Sequence, residues 1–291
     1  MTNSHNSLNI ISANVRGLLT NIGDLTYSFI IPHKPDIVAT VETFFNDQVP
    51  DNYGKVDGYS NWYRRDRKEG QKGGIAVCFK KDLPVQLLDV NIPVHLEIMF
   101  FKVIISEHEN ILFCVCYRPQ WQGNEPIEFL QQNLDNLLIE NSCTKLIIVG
   151  DLNQYLVKHA FEELLNIHGL INHVNFPTHD SGSSLDSVIT DFANPLVLCQ
   201  PLGNVGSSDH QAIHTKVTIQ RVKKEAYTRT IWLWRSADWK GMVESLANVP
   251  WNNVLTGPVN NQAENLTNIL LEKRNQYIPS RSYKIRPEDQ P

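Results

Sequence analysis

The sequence lacks any apolar run that approaches the ~20 residues a membrane-spanning helix needs. Its N-terminus, MTNSHNSLNI, also lacks the charged and then apolar pattern of a secretory signal. In the absence of both features we expect an intracellular protein, of the nucleus or the cytoplasm, with no membrane partner.

Cysteine is scarce, because the 291 residues contain only five, an odd number. Most of them lie inside apolar runs, and Cys114 and Cys116 alternate along a strand-like segment, a spacing that is not typical of zinc motifs. This usage excludes a disulfide framework and a cysteine-based zinc site, and it predicts buried thiols in a reducing compartment.

Positive charge is not in excess either, since the formal net charge is −5. A protein that binds DNA by electrostatics alone is usually basic, so the total does not favour that class. The charge is nevertheless uneven. The segment WYRRDRKEGQKGG (62–74) contains Arg64, Arg65, Arg67, Lys68 and Lys72. A solvated loop is the ordinary interpretation of such a segment, and a loop that contacts phosphates is the alternative.

What the sequence has is an alternation of apolar and amphipathic segments over its first 220 residues. Strands are predicted at 8–15, 36–43, 74–81, 96–105, 110–117, 145–153 and 213–219. Helices are predicted at 23–31, ended by Pro32 and Pro35, and at 126–140 and 159–169. Strands with helices between them indicate an α/β sandwich.

The character of the sequence changes after residue 220. A basic, aromatic stretch is followed by two predicted helices, 236–248 with Ser236 as its N-cap and 262–279. The last stretch, 281–291, is polar and contains proline, as linkers do. We therefore expect two parts, residues 1–220 and a helical tail at 221–291.

Polar side chains stand where the predicted strands end. The octamer IIVGDLNQ (147–154) places Asp151 and Asn153 two residues apart, so that they point the same way at the carboxyl end of a strand. By itself this is also what a strand followed by a turn looks like. Four other strand ends or starts repeat the pattern: Asn14, Glu42, Tyr117 and the pair Asp209-His210.

Six short motifs occur in a fixed order between residues 13 and 210: ANVRGL (13–18), VET (41–43), YRP (117–119), VGDLN (149–153), PTHDSGSSLD (177–186) and SDH (208–210). Together they resemble the endonuclease/exonuclease/phosphatase family, which includes abasic-site endonucleases, DNase I and inositol-phosphate phosphatases. Their spelling is most similar to the endonuclease domain of LINE-type (non-LTR) retrotransposons. The resemblance implies a DNase I-like four-layer α/β sandwich, with two mixed sheets face to face and helices outside.

The resemblance also implies hydrolysis of phosphodiester bonds with one divalent metal, Mg²⁺ or alternatively Mn²⁺. Glu42 is the best candidate ligand, together with Asn14 and Asp209. Asp151 matches the carboxylate that activates water. The remaining catalytic roles implied for this chain belong to Asn153 (orienting), His210 paired with Asp186 (phosphoryl oxygen), Tyr117 (phosphate or leaving oxygen) and Asp209.

DNA is the implied substrate, and weaker predictions concern residues that contact it. These are Arg64, Arg65, Arg67, Lys68, Arg118, Thr178 and Ser184. In LINE-type elements a Trp-rich helical linker leads from the endonuclease into a reverse transcriptase. Residues 221–291 look like that linker, so we expect the chain to be either part of a larger polyprotein whose polymerase follows or a domesticated remnant.

One departure and two alternatives accompany this hypothesis. Repair-type members have an acidic residue where this chain has Arg16, which argues against strong abasic-site activity. The preferred function is a DNA endonuclease that nicks one strand and leaves a 3′-hydroxyl for target-primed reverse transcription. The alternatives are a phosphatase of the same family that acts on a small phosphoester, and a decayed copy that binds nucleic acid or a partner without cleaving.

Overall fold

The apolar strands of the sequence assemble into two six-stranded sheets in the computed structural model of this chain, which describes residues 7–68, 72–106, 109–219 and 227–285. Residues 69–71 of the basic segment and 286–291 of the predicted polar linker lie outside the described residues, as do 221–226. Two compact units are distinguished, Met1–Gln220 and Arg221–Pro291.

The first sheet has the strand order β11-β12-β1-β2-β4-β3. Its strands are β1 (Ser7–Asn14), β2 (Ile37–Val41), β3 (Tyr63–Arg65), β4 (Ile75–Phe79), β11 (Val197–Asn204) and β12 (Gln211–Thr218). Strands β1 and β2 run parallel, and the other neighbours are antiparallel. The carboxyl ends of β1 and β2 therefore share one edge with the amino end of β12.

The second sheet has the order β5-β6-β7-β8-β10-β9. Its strands are β5 (Val85–Leu87), β6 (Glu97–Ser106), β7 (Glu109–Tyr117), β8 (Lys145–Asp151), β9 (Ile171–Asn172) and β10 (Asp186–Thr190). Here β7 and β8 are the parallel pair, and β10 runs antiparallel to β8 with Asp186 directly opposite Asp151. Each sheet is thus mixed and has one parallel pair near its middle.

Helices cover the outer faces of both sheets. One helical segment comprises α1 (Leu18–Asp24), a π-helical stretch (Leu25–Ile30) and a last turn α2 (Ile31–His33). The other layer contains α3 (Glu125–Glu140) and α4 (Lys158–Ile167). Three apolar clusters separate these layers: one between the two sheets, one under α3 and α4, and one under α1 and the π-helical stretch. The expected four-layer α/β sandwich is therefore confirmed.

The continuous apolar run of β8 illustrates why the sheets are buried on both sides. Ile147 and Val149 belong to the cluster between the sheets, whereas Leu146 and Ile148 belong to the cluster under the helices. Side chains alternate between the two faces of a strand, so a strand covered on both faces has no polar positions. Each such side chain stabilises the fold by about 1.5–3 kcal/mol.

Gly150 explains how this strand ends. Its φ is +137°, and a Cβ atom at this position would lie 2.0 Å from the carbonyl oxygen of Cys116 on β7. Only glycine allows the backbones of β7 and β8 to approach so closely. The close approach keeps Asp151, the next residue, beside the end of β7.

Two local predictions for this unit differ from the structure. The segment 62–74 is not a loop throughout, because Tyr63–Arg65 forms the edge strand β3 against β4. Tyr63 packs against the cluster between the sheets, and charged side chains such as those of Arg64 and Arg65 discourage an edge strand from pairing with another chain. Pro32 does not end the first helix but lies within its last turn, and Lys34 ends it with a left-handed backbone.

The second unit combines helices with a small sheet. Strands β13 (Tyr227–Trp232) and β14 (Ser280–Ile285) pair antiparallel, and between them lie α5 (Trp239–Ala247), α6 (Trp251–Val254) and α7 (Val259–Tyr277). The helices agree with the predicted tail, whereas the two strands were not predicted. Asp238, not Ser236, caps α5, since its carboxylate accepts the Gly241 N–H at 2.9 Å. No helix of the described ranges has the length and apolarity required to cross a bilayer.

Candidate active site

The polar side chains predicted from strand ends meet at one edge of the two sheets. Parallel pairing places the ends of β1 and β2 together, and likewise the ends of β7 and β8. The antiparallel strands β10 and β12 begin at the same edge. The topology thereby brings together Asn14, Glu42, Tyr117, Asp151, Asp186 and His210.

These residues surround a pocket of about 330 Å³. The predicted residues that line it are Glu42, Tyr117, Asp151, Asn153, Asp209 and His210, together with Arg67 of the predicted DNA contacts. Asn14 and Asp186 are buried and bond to lining residues. Other lining residues were not predicted as site residues: Arg16, Lys72, Pro119, Gln120, Trp121 and His179.

Asn14 connects the two sheets at the bottom of this pocket. Its Nδ2 donates to Glu42 Oε1 and to Asp151 Oδ2, at 3.0 Å in each case. Its Oδ1 accepts the backbone N–H of Arg16 at 3.2 Å. One buried amide thus orients two carboxylates that are far apart in the sequence. Direct coordination of a metal by Asn14 stays a prediction.

Tyr117 fixes the same carboxylate from the other side. Its hydroxyl donates to Glu42 Oε1 at 2.7 Å. Burial, followed by the charge of Glu42, raises the pKa of the Tyr117 phenol, so the hydroxyl keeps its proton at neutral pH. Glu42 therefore has two donors on one oxygen, and no hydrogen bond to its Oε2 is found within the described ranges.

Asp151 is the most deeply buried acid of the pocket and is held by its neighbour. The backbone N–H and the Nδ2 of Asn153 donate to its Oδ1 at 3.2 and 2.8 Å. Burial raises the pKa of the Asp151 carboxyl well above its usual value, and the charges of Asp186 and Glu42 add to this, whereas His210 and the Asn14 hydrogen bond oppose it. A carboxylate of raised pKa is a better proton acceptor.

His210 faces Asp151 from the opposite side. Its Nδ1 lies 2.8 Å from Asp186 Oδ2, and its Nε2 lies 4.0 Å from Asp151 Oδ2. Burial alone would lower the pKa of His210, but the hydrogen bond to Asp186 and the charges of Asp186, Asp151 and Asp209 raise it to about 9. The imidazole is therefore protonated at neutral pH and can donate through Nε2.

Asp209 has two basic side chains beside one of its carboxylate oxygens. Its Oδ2 forms an ion pair with Arg16 and lies 3.3 Å from His179 Nε2. The rings of His179 and His210 pack edge to face with centroids 4.8 Å apart. The predicted site residue Asp209 thus lies at the pocket, and the sequence reasoning did not foresee Arg16 or His179 beside it.

Strained backbone accompanies three residues of this site. Arg16, Glu42 and Asn153 have φ values of 39°, 54° and 44°, in the left-handed region. This conformation costs about 1–3 kcal/mol for a residue other than glycine, and it is concentrated at functional sites. It turns the chain sharply where β1, β2 and β8 end.

The donor set suits a hard divalent cation. Carboxylate and amide oxygens predominate, and such cations prefer oxygen ligands. Two buried oxygens of lining residues, Asn153 Oδ1 and Asp209 Oδ1, have no hydrogen-bond partner within the described part of the chain. A buried cluster of Asp151, Asp186 and His210 also has ligand atoms close enough to hold a metal ion.

Two predicted DNA contacts are corrected by their burial. Arg118 is fully buried, and its guanidinium donates to backbone carbonyls of Leu152 at 2.6 Å, Asn153 at 2.8 Å, Pro119 at 3.3 Å and Gln122. Thr178 is equally buried, and its Oγ1 accepts the backbone N–H groups of residues 185 and 186. Neither side chain reaches the surface. Arg118 holds the loops at the site, and Thr178 holds the start of β10 that carries Asp186.

The basic segment divides into two groups. Arg64 donates to the backbone carbonyls of Val49 and Asn46. Arg65 donates to the backbone carbonyls of Ile92, Pro93 and Leu96. Arg67 and Lys68 line pockets at the site and beside it. Ser184 is half-buried, and its hydroxyl has no partner in the described residues. Contacts of Arg67, Lys68 and Ser184 with DNA stay predictions.

Arg67 has an acidic partner that the sequence did not indicate. Its Nε donates to Glu97 Oε1 at 2.7 Å, and the Gly74 N–H donates to the other oxygen of Glu97. Burial raises the pKa of Glu97, although these donors oppose the change. Glu97 and Tyr117 are register partners on β6 and β7, which brings the Arg67 guanidinium to 5.6 Å from the Tyr117 ring centroid. No sequence pattern links residues 67 and 97.

Comparisons with known proteins extend this description. The model of the Endonuclease/Exonuclease/phosphatase family matches residues 11–235. No curated protein sequence matches the chain significantly. Among solved structures, the AP endonuclease LMAP from Leishmania major has 18% identity and a TM-score of 0.58, over 74% of this chain and 89% of that one.

Two further structures share the fold. The endonuclease domain of TRAS1, a telomere-specific non-LTR retrotransposon, has 19% identity and a TM-score of 0.54, over 74% of this chain and all of that domain. An AP endonuclease from Archaeoglobus fulgidus has 15% identity and a TM-score of 0.50, over 73% of this chain and 100% of that one. At these identities the likeness concerns the fold alone.

Proposed function

Because this chain belongs to the endonuclease/exonuclease/phosphatase family, we propose that it is a divalent-metal-dependent DNA endonuclease that hydrolyses phosphodiester bonds. It nicks one strand and leaves a 3′-hydroxyl. The observation that carries the proposal is the convergence of Glu42, Asp151 and His210 on one pocket, where Asn14 joins the two carboxylates.

Mg²⁺ is the proposed metal, and Mn²⁺ is the alternative. Glu42 is the main residue proposed to hold it, with Asn14 and Asp209 as the further ligands predicted from the sequence. Their oxygen atoms match the preference of small hard cations, which keep several waters and need few protein ligands. When bound, such a cation supplies positive charge beside the scissile phosphate.

Side chains of the protein are assigned the proton transfer and the hydrogen bonds of the reaction. Asp151 accepts a proton from the attacking water, and Asn153 keeps its carboxylate oriented. The water oxygen forms a bond to phosphorus while the bond from phosphorus to the 3′ oxygen breaks, and the 3′ oxygen takes a proton from solvent water to become the 3′-hydroxyl. His210, held by Asp186, donates through Nε2 to a phosphoryl oxygen and stabilises the charge that develops there.

Tyr117 is better placed to orient Glu42 than to donate a hydrogen bond to the substrate. We predicted from the sequence that it donates to the phosphate or to the leaving oxygen, but its hydroxyl is bonded to Glu42. A phenol with a raised pKa keeps this bond across the neutral range. We therefore propose that it positions the Glu42 carboxylate.

We also propose that the activity serves target-primed reverse transcription. The ordered motifs with YRP and PTHDSGSSLD support the LINE-type branch. The endonuclease domain of TRAS1, one of the similar structures, comes from a non-LTR retrotransposon by its title. On this proposal residues 1–220 are the endonuclease, and residues 221–291 are the linker towards a reverse transcriptase.

A plasmid-nicking assay tests the proposal. Supercoiled plasmid is incubated with the protein and Mg²⁺, Mn²⁺ or EDTA, and the variants Asp151→Asn and His210→Ala are compared with Glu162→Gln, an exposed acid on α4. We expect nicked circles with either metal, none with EDTA, and full activity for Glu162→Gln. Equal nicking by all variants, or none by the wild type, would contradict the proposal.

The chemical ends of the nick distinguish the alternatives. A 3′-hydroxyl can be extended by a DNA polymerase without further treatment, so extension of the nicked plasmid supports the proposed product. Release of inorganic phosphate from soluble inositol phosphates, without nicking, would assign the phosphatase alternative. Binding of DNA without cleavage in Mg²⁺ or Mn²⁺ would assign the decayed binding module.

A further inference from the structure

Trp121 presents an exposed indole at the rim of the active-site pocket. Its exposed fraction is 73%, compared with 51% for Trp234 and 50% for Trp239. Single exposed apolar residues are common and carry no meaning by themselves. Trp121 differs because of where it stands and how it is held.

The loop that carries Trp121 is fixed from inside the protein. The buried guanidinium of Arg118 donates to the carbonyls of Pro119 and Gln122, on the two sides of the tryptophan. The Gln122 N–H closes a turn onto the Pro119 carbonyl at 3.0 Å, and its side-chain amide donates to the His95 carbonyl at 3.2 Å. The indole is therefore displayed on a constrained backbone, which reduces the entropy lost when it binds a ligand.

Trp121 and Arg67 both line two pockets. One is the active-site pocket, which also contains Asp151 and His210. The other is an adjoining pocket of about 210 Å³, whose remaining lining residues are Lys68, Val94, His95 and Glu97. The Arg67 guanidinium lies 5.9 Å from the Trp121 ring centroid. The guanidinium of Arg67 is paired with Glu97, so the positive charge of this pocket that has no acidic partner among the described residues is that of Lys68. A flat aromatic wall with a cationic group beside it is the combination that binds a base and its phosphate.

We propose that this adjoining pocket is a nucleobase subsite, in which a base next to the scissile phosphate leaves its stack and packs on Trp121. The inference rests on the proposed function, because it places the scissile phosphate in the active-site pocket. It adds that the substrate is DNA in which one base beside the cleaved bond is unpaired or readily unstacked. Stacking accepts any base, so the subsite recognises an accessible base and not a sequence.

The test measures binding without cleavage. A fluorescent single-stranded DNA 12-mer and a 12-mer of the same backbone whose central nucleotides are abasic are titrated with the full chain in EDTA at low ionic strength. Repulsion by the acidic pocket affects both probes equally, so their ratio of Kd values isolates the contribution of the bases. For the wild type we expect the DNA with bases to bind roughly 5- to 150-fold more tightly.

Three variants show which side chain is responsible for the ratio of the two Kd values. Trp121→Ala is expected to reduce the ratio to near one by weakening only the probe with bases, and Trp121→Phe is expected to restore most of it. Trp239→Ala, which removes a half-exposed tryptophan of the second unit, is expected to change nothing. The dependence of log Kd on log salt should be the same for Trp121→Ala and wild type, because no charge is removed.

Several results would overturn the subsite. These are a wild-type ratio near one, an unchanged ratio in Trp121→Ala, or an equal loss of affinity for both probes. Failure of the endonuclease proposal is recognised separately, because it requires the absence of nicking in Mg²⁺ and Mn²⁺. A base-dependent ratio lost in Trp121→Ala, in a protein that does not nick, would leave the subsite in a nucleic-acid-binding protein.

Discussion

The imidazole of His210 lies 2.8 Å from the carboxylate of Asp186, between Nδ1 and Oδ2, and both side chains are buried. Asp186 is the first residue of β10 in the second sheet, and His210 directly precedes β12 in the first sheet. This bond fixes the ring so that Nε2 is directed towards Asp151, at 4.0 Å from its Oδ2. Burial alone would lower the pKa of His210, but the bond to Asp186 and the charges of Asp186, Asp151 and Asp209 raise it to about 9, so the ring carries a proton at neutral pH.

The first prediction concerns the charge state of His210. Asp186→Asn removes the carboxylate, so the pKa of His210 in the metal-free protein should fall from about 9 to well below it. The ring C–H resonances of His210, followed by NMR against pH, measure this. Glu162→Gln is the control and should leave the titration unchanged. An unaltered pKa of about 9 in Asp186→Asn would show that another group protonates the ring.

The same pair predicts a pH dependence of stability. The folded pKa of His210 is raised above the ordinary ~6.5 of an unfolded histidine, so its contribution is fully present below about pH 6.5 and is lost as the pH rises through about 9. The excess stability of the wild type over Asp186→Asn should therefore be larger at pH 6 than at pH 9.5. Urea unfolding at the two values, in EDTA, measures the difference.

Much of this arrangement could be predicted from the sequence, for identifiable physical reasons. Strands such as β8 are recognised because a strand covered on both faces has no polar residue until it ends. The polar residues at those ends, Asn14, Glu42 and Asp151, are recognisable because parallel strands collect their carboxyl ends at one edge. The six ordered motifs of the family resemblance indicated which segments of the chain form the site.

What the sequence could not indicate are partners set by three-dimensional packing. Arg118 looked like a DNA contact because arginine is ordinarily exposed, but the carbonyls around it are brought together only by the fold. The ion pair of Arg67 with Glu97 joins segments that no spacing connects. Edge strand β3 was missed because its three residues, one tyrosine and two arginines, carry no apolar alternation.

A second prediction concerns Asp151, whose carboxyl is expected both to contribute to catalysis and to lower the stability of the folded protein. Asp151→Asn should lower the nicking rate by roughly 10²–10⁴-fold, the usual contribution of a general base. The raised pKa of Asp151 means that its ionisation opposes folding as the pH rises above about 3.9. The stability of the variant relative to wild type should therefore increase between pH 4 and pH 8 in EDTA. A constant difference would contradict the burial of an ionising carboxyl.

A third prediction tests the close approach of β7 and β8. Gly150→Ala forces a Cβ atom against the Cys116 carbonyl and a left-handed backbone on alanine, and should destabilise the protein by about 2–5 kcal/mol. Gly23→Ala is the matched control, because open space surrounds that helical glycine, and it should stabilise by about 0.5–1 kcal/mol. Urea unfolding measures both, and equal effects would argue against the contact.

A fourth prediction tests which basic residues of segment 62–74 contact DNA. Lys72 is exposed and lines the active-site pocket, so Lys72→Ala should weaken DNA binding and reduce the slope of log Kd against log salt by about 1. Arg64 is bonded to Asp66 and to backbone carbonyls, so Arg64→Ala should leave that slope unchanged and lower the stability. Binding titrations at several salt concentrations decide, and a slope change for Arg64→Ala alone would reverse the assignment.

The central claim is that distant segments form one oxygen-lined metal site, and the location of the metal tests it most directly. Crystals soaked in Mn²⁺ reveal the ion by its anomalous scattering, which does not depend on activity. We expect a peak in the pocket in contact with the carboxylate of Glu42, and its loss in Glu42→Gln. Mn²⁺ bound elsewhere, with none beside Glu42 or Asp151, would contradict the account.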